Sequence, residues 1–371
     1  MMSRRAQQAT RRSQQGLSLL ELMIAITIGL GLLAGLTTVF VNSSRSQMEL
    51  ARASQQVENG RFAIQTLQDD IWHAGFYGRH IAYTTTAPAG LPDPCSTNTD
   101  TSVPSPTPLQ NALVFAIQGY SDPASVPAAL TCLSSSDFTA GNDILIVRRA
   151  GSNPVALASL SANTFYMQSV AEAYDATTLQ LLKPVIARGS PSTAFAQASP
   201  TSGELGEIRP YHVHIYFVAP CSAPAGGGTS CTGASDDNGR PIPTLKRVEL
   251  TSAGTFQIVP LVEGIERFQV EYGVDTVPGT LPTGAPYAGD GMPDTYIDNP
   301  TAAQFSQVVA VRLYLLARAT EPSGGYVDTK TYDLGLHGTF EPNLVANDRP
   351  YKRHMFTSVV RVKNVAGWRE R

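Results

Sequence analysis

Along the first 75 residues, polar and apolar positions fall into three successive patterns. Residues 1–16 are polar and carry Arg4, Arg5, Arg11 and Arg12; residues 17–41 then read LSLLELMIAITIGLGLLAGLTTVFV, with Glu21 as the one charged side chain. As a helix this run extends about 37 Å, enough to cross a hydrocarbon core of roughly 30 Å. From Leu50 the apolar positions thin to steps of three and four: Leu50, Ala53, Val57, Gly60, Ile64, Leu67 and Ile71. That spacing puts them on one face of a continuing amphipathic helix, with Arg45, Glu49, Arg52, Glu58, Arg61 and Asp69 around the remainder. An independent coiled coil fits less well, because Ala53 and Gly60 make a weak seam. Asn59-Gly60 invites a break, so the helix is expected to end between about residues 58 and 75.

After Gly75 the pattern changes to short alternating runs. Leu113–Gln118, Asp143–Arg148, Tyr211–Val218, Leu245–Leu250, Ile265–Tyr272, Val308–Leu315 and Thr357–Val362 are the predicted strands, partly buried and antiparallel. Thr84–Pro108 is rich in Thr, Pro and Ser and reads as an irregular surface connection. Long loops near residues 186–207 and 276–304 read as insertions or interaction surfaces. The fold class is therefore α+β, a long N-terminal helix followed by a β-rich head.

Composition narrows the setting. Only 15% of residues are charged, so Ser, Thr, Gln, Asn, Gly and Pro carry much of the surface, which suits an extracytoplasmic protein. The formal charge is −3, and subtracting the four leader arginines leaves −7 on the rest. An exported part with that balance and no dense basic block is a poor match for a phosphate backbone, so no direct nucleic-acid partner is expected. Arginines before the apolar run and no basic residue immediately after it predict an N-terminus in the cytoplasm and a head outside.

Cys95, Cys132, Cys221 and Cys231 all follow the apolar run and would enter an oxidising compartment. Three pairings are open; Cys95 with Cys132 and Cys221 with Cys231 is the economical one. No CxxC pair or zinc-like cluster occurs, so neither a redox nor a metal role is expected.

An ordinary secretory signal also combines arginines with an apolar stretch, but its cleavage site follows that stretch. Here the attractive junction, Gln15-Gly16-Leu17-Ser18-Leu19-Leu20-Glu21, precedes it. A cut there removes the leader and keeps the helix. This junction resembles the type III signal of type IV pilins and their pseudopilin relatives. The resemblance implies that prepilin peptidase cleaves between Gly16 and Leu17 and that the new N-terminus of Leu17 is methylated. Leu17 stands where major pilins commonly carry phenylalanine. Glu21 matches the family's acidic fifth mature residue, whose implied partner is the N-terminal amine of a neighbouring subunit. An acid in an apolar helix is unfavourable unless paired or near water, so the alternative is a Glu21 that sits in the headgroup region.

The head resembles the PilW group of minor pilins. The similarity runs through Trp72-His73-Ala74-Gly75-Phe76-Tyr77-Gly78-Arg79, the His212–Val218 strand, Ile242-Pro243-Thr244-Leu245 and Leu261-Val262-Glu263-Gly264-Ile265-Glu266. It continues through Gln269-Val270-Glu271-Tyr272-Gly273-Val274-Asp275, Val308–Arg318 and Arg361-Val362-Lys363-Asn364. It implies a minor pilin that assists initiation and assembly of type IV pili. The implied partners are other minor pilins, the major pilin, the inner-membrane assembly platform and a tip adhesin. The implied location is the inner membrane and then the pilus tip. The corresponding segments are leader 1–16, membrane and filament-core helix 17–41, amphipathic continuation 42–75 and periplasmic head 76–371. A type II secretion J-like pseudopilin would use the same leader, and a membrane-anchored periplasmic enzyme is the rival from another class.

Three features could carry chemistry. His212, His214 and Tyr216 share one face of a strand and offer half a metal site, but a polar sheet face is the better reading because no acid or cysteine completes the set. Asp236-Asp237-Asn238-Gly239 lacks EF-hand spacing, and Asn-Gly predicts a turn. Glu263, Glu266 and Glu271 read as a strand edge or solvated strand surface. No catalytic triad, zinc-hydrolase, Walker or dinucleotide motif occurs, so no catalytic residue, cofactor or enzyme activity is expected.

Overall fold

The structure, a computed structural model, describes residues 16, 18–82, 88–100, 108–170, 183–276, 289–342 and 350–370. The chain divides into two compact units, Met1–Ala51 and Arg52–Arg371. Helix α1 covers Leu19–His73, without a proline to interrupt it. It stops where Ala74-Gly75 turns away: Gly75 takes φ +73° and donates its amide to the Arg148 carbonyl at 3.0 Å. A Cβ there would meet Ala116 and Val365 at 3.1 Å, so backbone angle and space both call for glycine.

The remaining elements, in order, are β1 (Ile117–Tyr120), β2 (Ile144–Ala150), β3 (Phe165–Ser169), β4 (Val185–Arg188), β5 (Glu207–Ala219), β6 (Thr244–Leu250), β7 (Phe256–Glu263) and β8 (Ile265–Val274). They continue with β9 (Thr295–Ile297), α2 (Ala302–Phe305), β10 (Val308–Arg318), β11 (Tyr332–Asp333), β12 (Thr339–Phe340), β13 (Arg353–Arg361) and α3 (Lys363–Arg369). One sheet has the order β1-β2-β5-β3-β4, with β6 and then β7 continuing from β5. A second has the order β13-β10-β8-β9, and β11 pairs with β12; every pairing is antiparallel.

Ala63, Leu67 and Ile71 of α1 share one core with both large sheets: Leu145, Val147, Tyr216 and Val218 of the first, Phe268, Val270, Val311 and Leu313 of the second. A separate cluster covers the other face of the first sheet, where Ile144, Ile146, Tyr211, Val213, Ile215 and Phe217 meet Leu109, Leu113, Leu130 and Phe138. Strand β5 is thus covered on both sides, and the burial of both its alternating sets follows. Disulfides join Cys95 to Cys132 and Cys221 to Cys231, with Cα separations of 5.5 and 5.8 Å.

Several sequence readings need correction. Leu113–Ala116 is not strand; the ladder begins at Ile117, although Leu113 and Phe115 are buried. The buried stripe of α1 is Gln56, Gly60, Ala63, Leu67, Asp70 and Ile71, so it takes in two polar residues that the apolar rhythm passed over, while Leu50 is exposed. Glu266 and Glu271 are buried rather than solvated: Glu266 accepts from Arg353 Nη2 at 3.0 Å and Glu271 from Arg312 Nη1 at 2.7 Å. Only Glu263 stays exposed, taking the Ser222 hydroxyl at 2.8 Å. Within the long loops, β4 and β9 are short ordered strands; residues 277–288, 84–87 and 101–107 lie outside the described residues.

Candidate functional site

At the start of α1, Ser18 and Glu21 cap each other. The Ser18 amide donates to Glu21 Oε2 at 2.9 Å and the Glu21 amide donates to Ser18 Oγ at 3.2 Å, the reciprocal capping box that S-x-x-E encodes. The sequence reading singled out Glu21 but missed this local role, which its three-residue spacing from a serine signals. Gly16 precedes the box; Arg4, Arg5, Arg11, Arg12 and Leu17 lie outside the described residues. Further along, the hydroxyls of Thr27, Thr37 and Thr38 donate to carbonyls three or four residues back, at 2.7–3.0 Å. Polar side chains are thereby satisfied within the segment itself, as a bilayer requires. An 18-residue window of this helix has mean hydropathy 2.2 and none of it is buried, so α1 is long and apolar enough to cross a membrane.

The other end of α1 is tied into the head by a buried polar cluster. Asp70, on the last turns, accepts from Arg149 Nε of β2 at 2.6 Å, from His214 Nδ1 of β5 at 2.7 Å and from the Tyr216 hydroxyl of β5 at 2.9 Å. Burial pushes the Asp70 carboxyl up, but His214 and Arg149 outweigh it and hold the group well below the usual carboxylate range. The His214–Tyr216 face is therefore not a solvated sheet surface. It packs under the helix, and its acid partner comes from a position 144 residues earlier in the chain. Asp70 could have been suspected from sequence as an acid inside an otherwise buried stripe.

More contacts bind residues 52–73 to the head. Gln56 Nε2 donates to the Ala317 and Lys352 carbonyls at 2.7 and 2.9 Å, Gln68 Nε2 to the Ser358 hydroxyl at 2.6 Å, and Arg52 pairs with Glu321. A Cβ on Gly60 would lie 2.0 Å from the Phe356 ring, so the ring lies where any larger residue would project.

His212, on the same strand face, has its imidazole pushed down to about 4 by burial, with His214 and Arg149 adding to the shift. A base whose folded value lies below its usual 6.5 stabilises the fold fully above that value and loses the contribution as pH falls toward 4. Thermal denaturation of the full chain in detergent should show this as a loss on the order of 1–2 kcal/mol between pH 7.5 and 5. The loss should be smaller in His212→Gln; equal losses in the two proteins would remove His212 as the cause.

The Asp236 turn holds no cation cradle. Asp236 accepts from the amides of Ala225, Thr232 and Gly233 at 2.8, 2.6 and 2.8 Å, and from the Thr232 hydroxyl at 2.8 Å. Burial raises this carboxyl, but the donors prevail and hold it at about 2. Asp237 likewise accepts from the amides of Ser222, Ala223 and Ile242. Donor hydrogens occupy the places that a metal would take. Cys221 and Cys231 come near Asp236, but their sulfurs are joined to each other, leaving no thiolate to ligate an ion. Both carboxylates act as staples for the loop behind the disulfide.

An apolar N-terminal helix with an acid on its first turn, continued as an amphipathic helix under a β-rich head, defines a pilin-like, membrane-anchored protein. Comparison with known families agrees. The family described as Prokaryotic N-terminal methylation motif matches residues 11–37, and Type IV Pilus-assembly protein W matches residues 231–364. These two matches make the chain similar to the PilW family over residues 231–364 and support a structural role in type IV pilus assembly. Its helix anchors it in the membrane and its head is periplasmic. Among solved structures, a type IV-like pilin from Thermus thermophilus, TTHA1219, is similar at 12% identity over 62% of this chain and 81% of that one. Its TM-score is 0.22, and no argument rests on it. No curated protein matches.

Proposed function

We propose that the chain is a minor pilin that helps to initiate pilus assembly as part of a tip-associated complex of minor pilins, one that carries an adhesin. In this reading prepilin peptidase removes residues 1–16, leaving Leu17 as a methylated N-terminus. Residues 17–41 pass from the inner membrane into the filament core, 42–75 continue the helix, and 76–371 form the head. The assembly platform supplies the work of extraction.

The observation that carries the reading is the position of Glu21. Its carboxylate is already held at 2.9 Å from the Ser18 amide, one residue beyond the proposed new N-terminus. A charged amine on a neighbouring chain can meet it there, where opposite charges in an apolar setting attract far more strongly than in water. That pairing sets the register of one helix against the next.

Crosslinking in native cells from a probe on the head, followed by identification of the partners, tests the assembly role. The expected partners are other minor pilins and an adhesin, together with a mature mass that begins at methylated Leu17. Recovery of secretion pseudopilins would move the chain to the J-like alternative, and an unprocessed N-terminus would defeat the reading.

A further inference from the structure

Asp143, the residue before β2, is wholly buried. Its Oδ1 accepts the Asp122 amide at 2.7 Å, and its Oδ2 accepts the Val270 amide of β8 at 2.7 Å. The same Oδ2 meets His337, whose Nε2 lies 3.3 Å away and also 3.3 Å from the Val270 carbonyl. Both neighbours of that nitrogen are acceptors, so Nε2 carries a hydrogen.

His337 belongs to the turn between β11 and β12, which closes onto β8. The Leu336 amide donates to Glu271 Oε1 at 2.8 Å, and His337 covers Asp143. Gly335 takes φ +67°, and a Cβ there would overlap Glu271 Oε1, so only glycine lets the turn come this close to the strand. The base of the hairpin is anchored independently of Asp143. The Tyr332 hydroxyl donates to Asp328 Oδ2 at 2.9 Å, and the Arg267 guanidinium lies over the Phe340 ring. The turn can therefore lift while the two short strands stay in place.

We propose that the turn between β11 and β12 is a pH-sensitive strap, closed over Asp143 in mild acid and released as pH rises and the buried carboxyl loses its proton. Burial raises the Asp143 carboxyl to about 7, against His337 and the two amides, and nearby Asp122 adds to the rise. An acid whose folded value is raised contributes fully below its ordinary value of about 4 and loses the contribution as pH climbs through the folded value. Lifting the turn lets water reach the carboxylate, so the loss falls on the contact between turn and strand. The other groups around the pair do not supply the switch. Glu271 is matched by Arg312 Nη1 at 2.7 Å, Arg267 by the Gly141 carbonyl at 3.2 Å and Asp333 by the Gly335 amide at 2.9 Å. Burial raises the hydroxyls of Tyr272, near Asp143, and of Tyr314, beside Gly335, so both stay neutral. The direction is opposite to that of His212 and Asp70, whose contributions are lost in acid, so the strap can be told apart from the response of the whole fold. The strap does not depend on the assembly role.

Hydrogen exchange of the full chain in detergent tests the strap, with each measured rate compared with its intrinsic value at the same pH. With the ordinary carboxyl value restored on opening, protection of residues 334–340 should fall about tenfold from pH 6 to pH 8.5. Protection of β13 should change by less than about twofold over the same range, since the sheet itself stays closed. Asp143→Asn should bring the change at residues 334–340 below about twofold. Should that variant lose its thermal transition, His337→Ala takes its place: water then reaches the carboxylate with the turn closed, and the same small change is expected. Equal protection at the two pH values in the wild type, a matching fall in β13, or a tenfold fall that survives in the variant would overturn the strap.

Discussion

Asp70→Asn should lower the stability of the full chain in detergent by about 3 kcal/mol at pH 7, since breaking a buried pair leaves charges without a counterpart. Asparagine keeps the shape but turns one oxygen into a donor that faces other donors: Arg149, His214 or Tyr216, each now within 2.6–2.9 Å of the carboxylate. In a head of this size that corresponds to a fall of roughly 5 °C in the thermal midpoint. The sign of the pH dependence is set by the depressed carboxyl. Its stabilising contribution is complete above the ordinary aspartate value and disappears as pH drops below about 4. The gap between wild type and variant should therefore close in acid. A midpoint unchanged at pH 7, or a gap that stays constant down to pH 3, would mean that Asp70 does not latch the helix. Because the cluster joins α1 to β2 and β5, the variant should also expose residues 60–73 to proteolysis before the sheets themselves open.

The second large effect concerns assembly rather than stability. Glu21→Ala should reduce the amount of this chain in sheared pili at least tenfold, while its level in the inner membrane and the thermal transition of the head stay unchanged. Glu21→Gln separates the helix cap seen in the structure from the proposed pairing with a neighbouring amine. Glutamine retains an oxygen able to accept the Ser18 amide, so the cap survives, but it has no charge to offer a neighbouring amine. If the pairing reading is right, Gln fails like Ala. A Gln variant that assembles like wild type would leave Glu21 as a helix cap alone.

How far these sites were legible depends on how local their physics is. Strands β2, β5, β6, β8 and β10 stand out in the sequence as runs rich in β-branched, aromatic and other apolar residues. Strand β7 was missed because Pro260 interrupts FQIVPLVE, and an interior proline normally argues against a strand; only its place at the sheet edge makes it tolerable. Strands β3 and β4 are too short for alternation to stand out. The acids of β8 were read as solvated because alternation cannot show that Arg353 and Arg312 arrive from other strands to meet them.

The N-terminal character of this protein is encoded locally in its chain. A basic N-terminal stretch before an apolar run, a capping serine and an acid three residues later are all read within one short stretch, and helix periodicity follows from neighbours three and four positions apart. The tertiary structure alone decided which polar residues lie inside. Asp70 became a latch when strands from distant parts of the chain brought Arg149, His214 and Tyr216 beneath it, and among the described residues β13 stands at the end of its sheet's order. Those outcomes depend on the pairing of segments far apart in the chain, and no local pattern of polar and apolar residues contains that information.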